Sequence, residues 1–210
     1  ADCFADRLRM EDGVYLFDYH GRGVEMPDLK MGIPGRLYVE NATAAITLAL
    51  EAGATPEEIR RALPEFRGVA RRFNVHVNDG ERVYIDDYAH HPREIEATLQ
   101  SVREIWPEKE MTVVFQPHLY SRTRDFYVEF ARSLSLADRV LLLDIYPARE
   151  LPIEGITSEV IRERVTVPTR IVTKEELTDF VRGEFREGIL VTMGAGDIDR
   201  LVPAICEYMR

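Results

Sequence analysis

Three short strings hold most of the residues able to do chemistry. Asp86-Asp87-Tyr88-Ala89-His90-His91-Pro92 sets two carboxylates beside two imidazoles. Carboxylates accept hydrogen bonds from sugar hydroxyls, and imidazoles exchange protons near neutral pH or bind metals. A plainer reading is that one Asp caps a helix opening at Pro92 while the histidines are solvated. Phe115-Gln116-Pro117-His118-Leu119-Tyr120-Ser121-Arg122-Thr123-Arg124-Asp125 places one imidazole and two guanidiniums in what reads as a strand-to-helix loop. Those donors suit a carboxylate or phosphate, and a helix N-terminus adds a favourable dipole. The alternative is a polar helix entry with its Arg residues on the surface. Met193-Gly194-Ala195-Gly196-Asp197-Ile198 permits close backbone approach but lacks the full G-x-G-x-x-G, so a tight turn with Asp197 as N-cap is the plainer reading. A fourth string, Gly68-Val69-Ala70-Arg71-Arg72-Phe73, pairs two Arg that could reach a nucleotide phosphate or lie on a solvated face. No G-x-x-x-x-G-K-[ST] phosphate loop occurs in the chain.

The elements that must position these strings are short apolar runs. Strands are expected at 73–77, 83–86, 111–115, 140–143, 170–172 and 189–192, and helices at 92–105, 125–134, 158–163, 174–182 and 197–208. Alternation of this kind implies right-handed βαβ units and a doubly wound, parallel-rich sheet covered on both faces. Ligands in such sheets sit beyond the C-terminal strand ends, where the first three strings fall. Residues before about 70 read differently. Val14–Tyr19 looks like a strand, and a loop holding Pro27, Gly32, Pro34 and Gly35 follows. Asn41–Glu51 is an Ala-rich helix former, and Thr55-Pro56-Glu57-Glu58 is a helix start with an N-cap, a first-turn Pro and acids. A boundary is expected near 68–72.

Composition narrows the function classes. The 210 residues carry 27 Lys and Arg against 37 Asp and Glu, a net charge of −10, with 45% hydrophobic residues. That is a globular mix and not a disordered one. The acidic balance argues against nucleic acid, although one site can be locally basic. No apolar run approaches the ~18–20 residues of a membrane span, and no secretory signal is visible, so a cytoplasmic location is expected. Cys3 and Cys206 give no metal spacing and no disulfide framework.

Taken together, GIPGRLYVENATAA, FRGVARRF, DDYAHHPREIEATL, FQPHLYSRTRDF and MGAGDI resemble, in order and spacing, the ATP-dependent Mur ligases of peptidoglycan synthesis. The likeness covers essentially the whole chain and is strongest to the branch that joins L-alanine to UDP-N-acetylmuramate. It implies residues 1–70 as the tail of a central ATPase domain and 71–210 as a Rossmann-like, amino-acid-binding C-terminal domain. It also implies ATP with Mg2+, L-alanine and UDP-N-acetylmuramate as ligands, and no turnover by this chain alone, since the phosphate loop is missing. By resemblance Asn41 contacts the nucleotide base, Arg72 approaches the phosphates and Asp87 binds the ribose. His118 and Arg122 hold the amino-acid carboxylate and developing phosphate charge, while His90, His91 and Gly194, Ala195, Gly196 and Asp197 line the amino-acid side. Resemblance implies no resident metal site.

Three positions depart from the family pattern. Tyr38 stands where the first Asn of G-R-H-N-x-x-N is usual, Leu119 where Arg often follows the His, and Ala70 where Gly is common. Two other readings remain open: the murein-tripeptide-recycling branch of the same family, and a non-catalytic module for a nucleotide or anionic metabolite.

Overall fold

A computed structural model describes residues 2–11 and 13–210. The chain divides into two compact units, Ala1–Val69 with Ser101–Ile105, and Ala70–Gln100 with Trp106–Arg210.

The first unit is built on an antiparallel meander of β1 (Cys3–Glu11), β2 (Val14–Gly21) and β3 (Val24–Lys30). Period-two alternation puts Tyr15, Phe17 and Tyr19 of β2 on one buried face. Met26 and Leu29 of β3 join them there, and α1 (Arg36–Glu51) covers them with Val39, Ala42 and Ile46. Helix α2 (Pro56–Ala62) adds Ile59. It opens on the expected cap: Glu58 N–H donates to Thr55 Oγ1 at 3.3 Å, and Thr55 N–H donates to the Glu58 carboxylate at 2.8 Å.

One reading here needs correction. The segment around Pro27 is strand β3 and not loop. It is an edge strand whose register shifts between the pairs Phe17↔Leu29 and Tyr19↔Met26, so Pro27 and Asp28 fall at the irregularity, where a missing N–H costs least. Asp28, at φ +55°, instead donates its N–H to the buried Asp18 carboxylate at 2.9 Å. Strand β1 has no counterpart among the expected elements. Its charges fall on both faces and hide the alternation, and pairing with β2 creates the strand.

The second unit holds a six-stranded sheet in the order β4-β5-β9-β6-β7-β8. Its strands are β4 (Asn74–Asn78), β5 (Arg82–Asp87), β6 (Met111–Phe115), β7 (Arg139–Leu142), β8 (Thr169–Ile171) and β9 (Gly188–Met193). All neighbours are parallel except β4, which runs antiparallel to β5 at the edge. Every residue of β6 and β9 is buried, as strands covered on both faces require. On one face α6 (Lys174–Gly183) and α7 (Val202–Tyr208) pack Leu177, Phe180, Val181 and Ile205 against Tyr84, Val114, Leu141 and Leu190. On the other, Phe130 of α4 (Tyr120–Leu134) meets Phe115 with ring centroids 5.2 Å apart. Each such fully buried side chain contributes about 1.5–3 kcal/mol. Helix α3 (Pro92–Ile105) lies as expected; α5 (Glu159–Arg162) is a single turn.

The helix entries shift in two places. Helix α4 starts at Tyr120, ahead of the expected start at 125, so Arg122 and Arg124 lie in its first turns and not in a loop. The terminal helix divides into a 3₁₀ turn (Asp197–Leu201) and α7, with Pro203 in the first turn of α7. The sheet order has the consequence that matters for function. The strands β5, β9 and β6 are consecutive neighbours, so the loops carrying all three chemical strings leave one side of the sheet about 5 Å apart, strand to strand.

Candidate functional site at the strand ends

The β5 loop is held by its second carboxylate. Asp87 is 6% exposed, and its Oδ1 accepts the Ala89 N–H at 2.8 Å. Its Oδ2 accepts the Phe73 N–H at 3.0 Å and the Thr98 hydroxyl at 3.2 Å. Burial pushes its pKa up to about 6 despite those donors. Asp86, 2% exposed, points into a buried polar chain: Thr192 Oγ1 donates to it at 3.3 Å and lies 3.0 Å from the Tyr84 hydroxyl. The loops are also stitched by backbone, Gly194 N–H to Asp87 O at 3.2 Å and Gln116 N–H to Met193 O at 3.0 Å.

Beyond these bonds a file of rings crosses the strand ends. Tyr88 meets His90 edge-on at 5.1 Å, His90 faces His118 at 6.2 Å, and His118 stacks on Tyr146 at 5.8 Å. His90 is steered by its Nδ1, 2.9 Å from the Tyr88 carbonyl, and by its N–H, which donates to Glu94 at 3.0 Å. His118 is fixed by a parallel bridge to Tyr146. Leu119 N–H donates to Tyr146 O at 3.0 Å and Tyr146 N–H donates to Pro117 O at 2.8 Å. Leu119 adopts φ +72°, a conformation that costs a branched side chain about 1–3 kcal/mol. The bonds on both sides hold it there, and α4 starts at the next residue with no side chain capping it. Ser121 in that first turn donates both its N–H and its hydroxyl to Glu150.

At the entry to α4, His118 Nδ1 and Arg122 Nη1 are buried without a hydrogen-bond partner. An unpaired buried polar group costs about 1–3 kcal/mol, so these two atoms are unusual features of the strand-end region. Burial first, then the Arg122 and His90 charges, hold His118 below its ordinary value of 6.5. The folded protein therefore favours neutral His118, and this contribution is complete above pH 6.5 and lost as pH falls below it. Over pH 7.5 to 5.5 the raised Asp87 carboxyl acts in the opposite sense, because the folded state takes up its proton first, so the His118 effect is read as a difference. The denaturant midpoint of the original chain is expected to fall relative to that of His118→Gln, which cannot titrate; a constant difference would remove His118 as a source of pH dependence.

The glycine turn after β9 closes the third side. Gln116 Nε2 donates to Asp197 Oδ1 at 2.9 Å, and Ile198 N–H donates to Gln116 Oε1 at 3.0 Å. Lys174 Nζ lies 2.5 Å from the same Asp197 carboxylate. Asp197 is therefore not the helix cap; Gly196 occupies that position.

Structure thus brings together His90, His118, Arg122, Gly194, Ala195, Gly196 and Asp197 around the ends of β5, β9 and β6. His91 goes elsewhere. Its ring packs on Phe126 at 5.1 Å and its carbonyl accepts the Glu94 and Ile95 N–H groups as the helix start. Arg72 is exposed, its guanidinium 5.2 Å from the Tyr88 ring centre and 4.0 Å from Glu94. In the first unit, exposed Asn41 lines an apolar cavity of about 430 Å3 with Tyr38, Ala45 and Phe66. Among the described residues no group of three or more His, Cys, Asp or Glu is arranged to hold a metal ion. Sequence reasoning gave no role to Gln116, Tyr146 or Lys174, and it read Arg71 only as one of a pair that could reach a phosphate, whereas its Nη2 donates to the Gly194 carbonyl. Tyr146 follows the apolar run of β7, and that strand-end position was a usable signal; Lys174 and Gln116 meet Asp197 only through the fold.

Comparison with known proteins gives concordant matches. The family model described as "Mur ligase, glutamate ligase domain" matches residues 71–196. The chain is 46% identical over its whole length to a UDP-N-acetylmuramate–L-alanine ligase of Porphyromonas gingivalis, of which it covers 46%. It is 48% identical to the protein of the same name from Flavobacterium johnsoniae, over 96% of this chain and 45% of that one. Among solved structures it is similar to UDP-N-acetylmuramate-alanine ligase MurC of Thermotoga maritima, with a TM-score of 0.78 and 27% identity over 99% of this chain and 45% of that one. The chain thus spans a little under half the length of the curated relatives it matches.

Proposed function

This chain belongs to the Mur ligase family, and from that premise we propose that it is the amino-acid-binding part of an ATP-dependent ligase joining L-alanine to UDP-N-acetylmuramate. The observation that carries the reading is the pair of buried, unpartnered groups at His118 Nδ1 and Arg122 Nη1, within the region that the family model matches. A guanidinium N–H directed at an α-carboxylate makes a charge-assisted bond of the kind that orients a small zwitterion. His118, neutral at pH 7, then lies beside the substrate without repelling its ammonium group. In the reaction proposed, ATP phosphorylates the lactyl carboxylate of the sugar and ADP leaves. The alanine ammonium gives a proton to solvent, the free amine attacks the carbonyl carbon, the C–N bond forms with loss of a second amine proton, and phosphate leaves with the C–O electron pair. Catalysis of this kind is mostly positioning and charge stabilisation.

Nucleotide handling by these residues is partial. Arg72 is exposed, and we assign it the approach to phosphate charge. Asp87 already accepts three hydrogen bonds, so its ribose role rests on its one remaining lone pair. We keep Asn41 as the contact to the base. Mg2+ would neutralise phosphate charge when bound with ATP, and its ligands are not gathered among the described residues, so no step is drawn through it. Residues 1–70 are assigned to the end of an ATPase domain and 71–210 to the amino-acid domain. Titration calorimetry with Mg-ATP and L-alanine, beside a ligase assay with UDP-N-acetylmuramate, tests the reading. L-alanine binding without turnover is the expected result. Turnover by the chain alone would overturn the domain assignment, and no alanine binding would overturn the amino-acid role.

A further inference from the structure

Arg71 takes no part in the proposed chemistry, yet it ties together the β5 loop and the glycine turn after β9. It sits at φ +60°, and its carbonyl accepts the Tyr88 N–H at 2.7 Å. Its Nη2 donates to the Gly194 carbonyl at 2.8 Å, its Nη1 lies 3.3 Å from Asp199 Oδ2, and its Cζ is 4.8 Å from the Tyr88 ring centre. Its Nε is buried without a partner. A planar fork with fixed donors can meet a carbonyl, a carboxylate and a ring face at once, which a lysine cannot.

From this geometry we infer that Arg71 is a positioning residue, which sets the Tyr88–His90–His118 ring file against the glycine turn and so fixes where the amino-acid substrate sits. The inference rests on the amino-acid reading for its last clause only. Arg71 lies at the head of the file: it faces Tyr88, Tyr88 meets His90, and His90 faces His118. The same side chain holds Gly194 by its carbonyl. Removing it uncouples the β5 loop from the β9 loop on the ring side, leaving the backbone bond from Gly194 N–H to Asp87 O. Arg71 reaches the file through Tyr88, so neither His118 nor Arg122 need be altered for the file to shift.

The test has two arms on the 210-residue chain. In the first, Arg71→Lys and Arg71→Ala are read by the imidazole ring-proton signals of His90 and His118 and by thermal melting. Both variants are expected to move the His90 and His118 signals while remaining folded. Unmoved signals in a folded Arg71→Ala protein would overturn the inference. In case Arg71→Ala does not fold, Asp199→Ala removes only the partner of Nη1 and is expected to move the same signals in the same sense, less far; no movement would count against the inference equally. In the second arm, L-alanine is titrated into the original chain, Arg71→Lys and Arg71→Ala. Affinity is expected to fall about tenfold in Arg71→Lys, a typical coupling when one charge-assisted bond away from the ligand is removed. Equal affinity in all three would refute the substrate clause. Absence of alanine binding to the original chain would instead refute the amino-acid reading, while the ring signals would still decide the positioning role.

Discussion

Arg122→Ala is expected to weaken L-alanine binding about a hundredfold while leaving the fold as stable as before or slightly more so. The two halves of this result have one origin. Nη1 of Arg122 is buried and unpaired, so the folded protein already bears the cost of desolvating that donor. Truncation removes the cost and opens space that water can enter at a helix start. For a bound carboxylate the balance reverses. A charge-assisted bond to a buried partner is worth about 1.5–3 kcal/mol, and its loss leaves the substrate anion uncompensated in a partly desolvated site. Calorimetric titration and a thermal melt on the same sample separate the two. Parallel losses of affinity and melting temperature would make Arg122 a structural residue and undo its placement in the site. Arg122→Lys is expected to recover only part of the affinity, because an ammonium cannot reproduce the fixed fork.

Gly194→Ala is expected to destabilise the second unit by about 3 kcal/mol, a drop of roughly 10 °C in melting temperature. Two independent costs meet at this position. Its φ of +148° is one that an L side chain rarely adopts. A Cβ placed there would lie 2.7 Å from the Gln116 carbonyl oxygen, and that oxygen belongs to backbone at the end of the central strand β6. Backbone there cannot give way, because Gln116 N–H is bonded to Met193 and its side chain to Asp197 and Ile198. Gly183→Ala, at the end of α6, supplies the control. Its φ lies outside the left-handed region, and a Cβ placed there would meet nothing within 4 Å. Little or no loss is expected there. Equal melting temperatures for the two variants would show that backbone strain is not what makes Gly194 necessary.

Much of this protein is legible in its sequence. The βαβ alternation after residue 73 points to the doubly wound sheet because short β-branched runs and helical periods are local signals. The strings around Asp87, His118 and Gly194 stand at strand ends, and strand ends in such sheets are where ligands go. Starts and stops are less readable. Helix α4 begins at Tyr120 because the Leu119 bond to Tyr146 and the Glu150 bonds to Ser121 hold its first turn, and both partners lie beyond the end of the helix and the next strand. Pro27 reads as a loop marker until β2 offers it an edge with an irregular register.

Residue types and their spacing determined on their own which side chains could bind an anion, and on which side of the sheet. That follows from local chemistry and from the chirality of the crossover, both of which are written residue by residue. Only the tertiary structure decided which of the candidates share a site. It turned His91 onto Phe126 and His90 toward His118, two neighbours with the same chemistry sent in different directions by helix geometry. It closed both oxygens of Asp87 on the protein's own donors, left His118 and Arg122 each with an unpaired buried nitrogen, and put Arg71 against Gly194, 123 residues away. The reason is physical: burial and pairing are properties of neighbours in space, and strand order, which sets those neighbours, is a long-range choice that no short string contains.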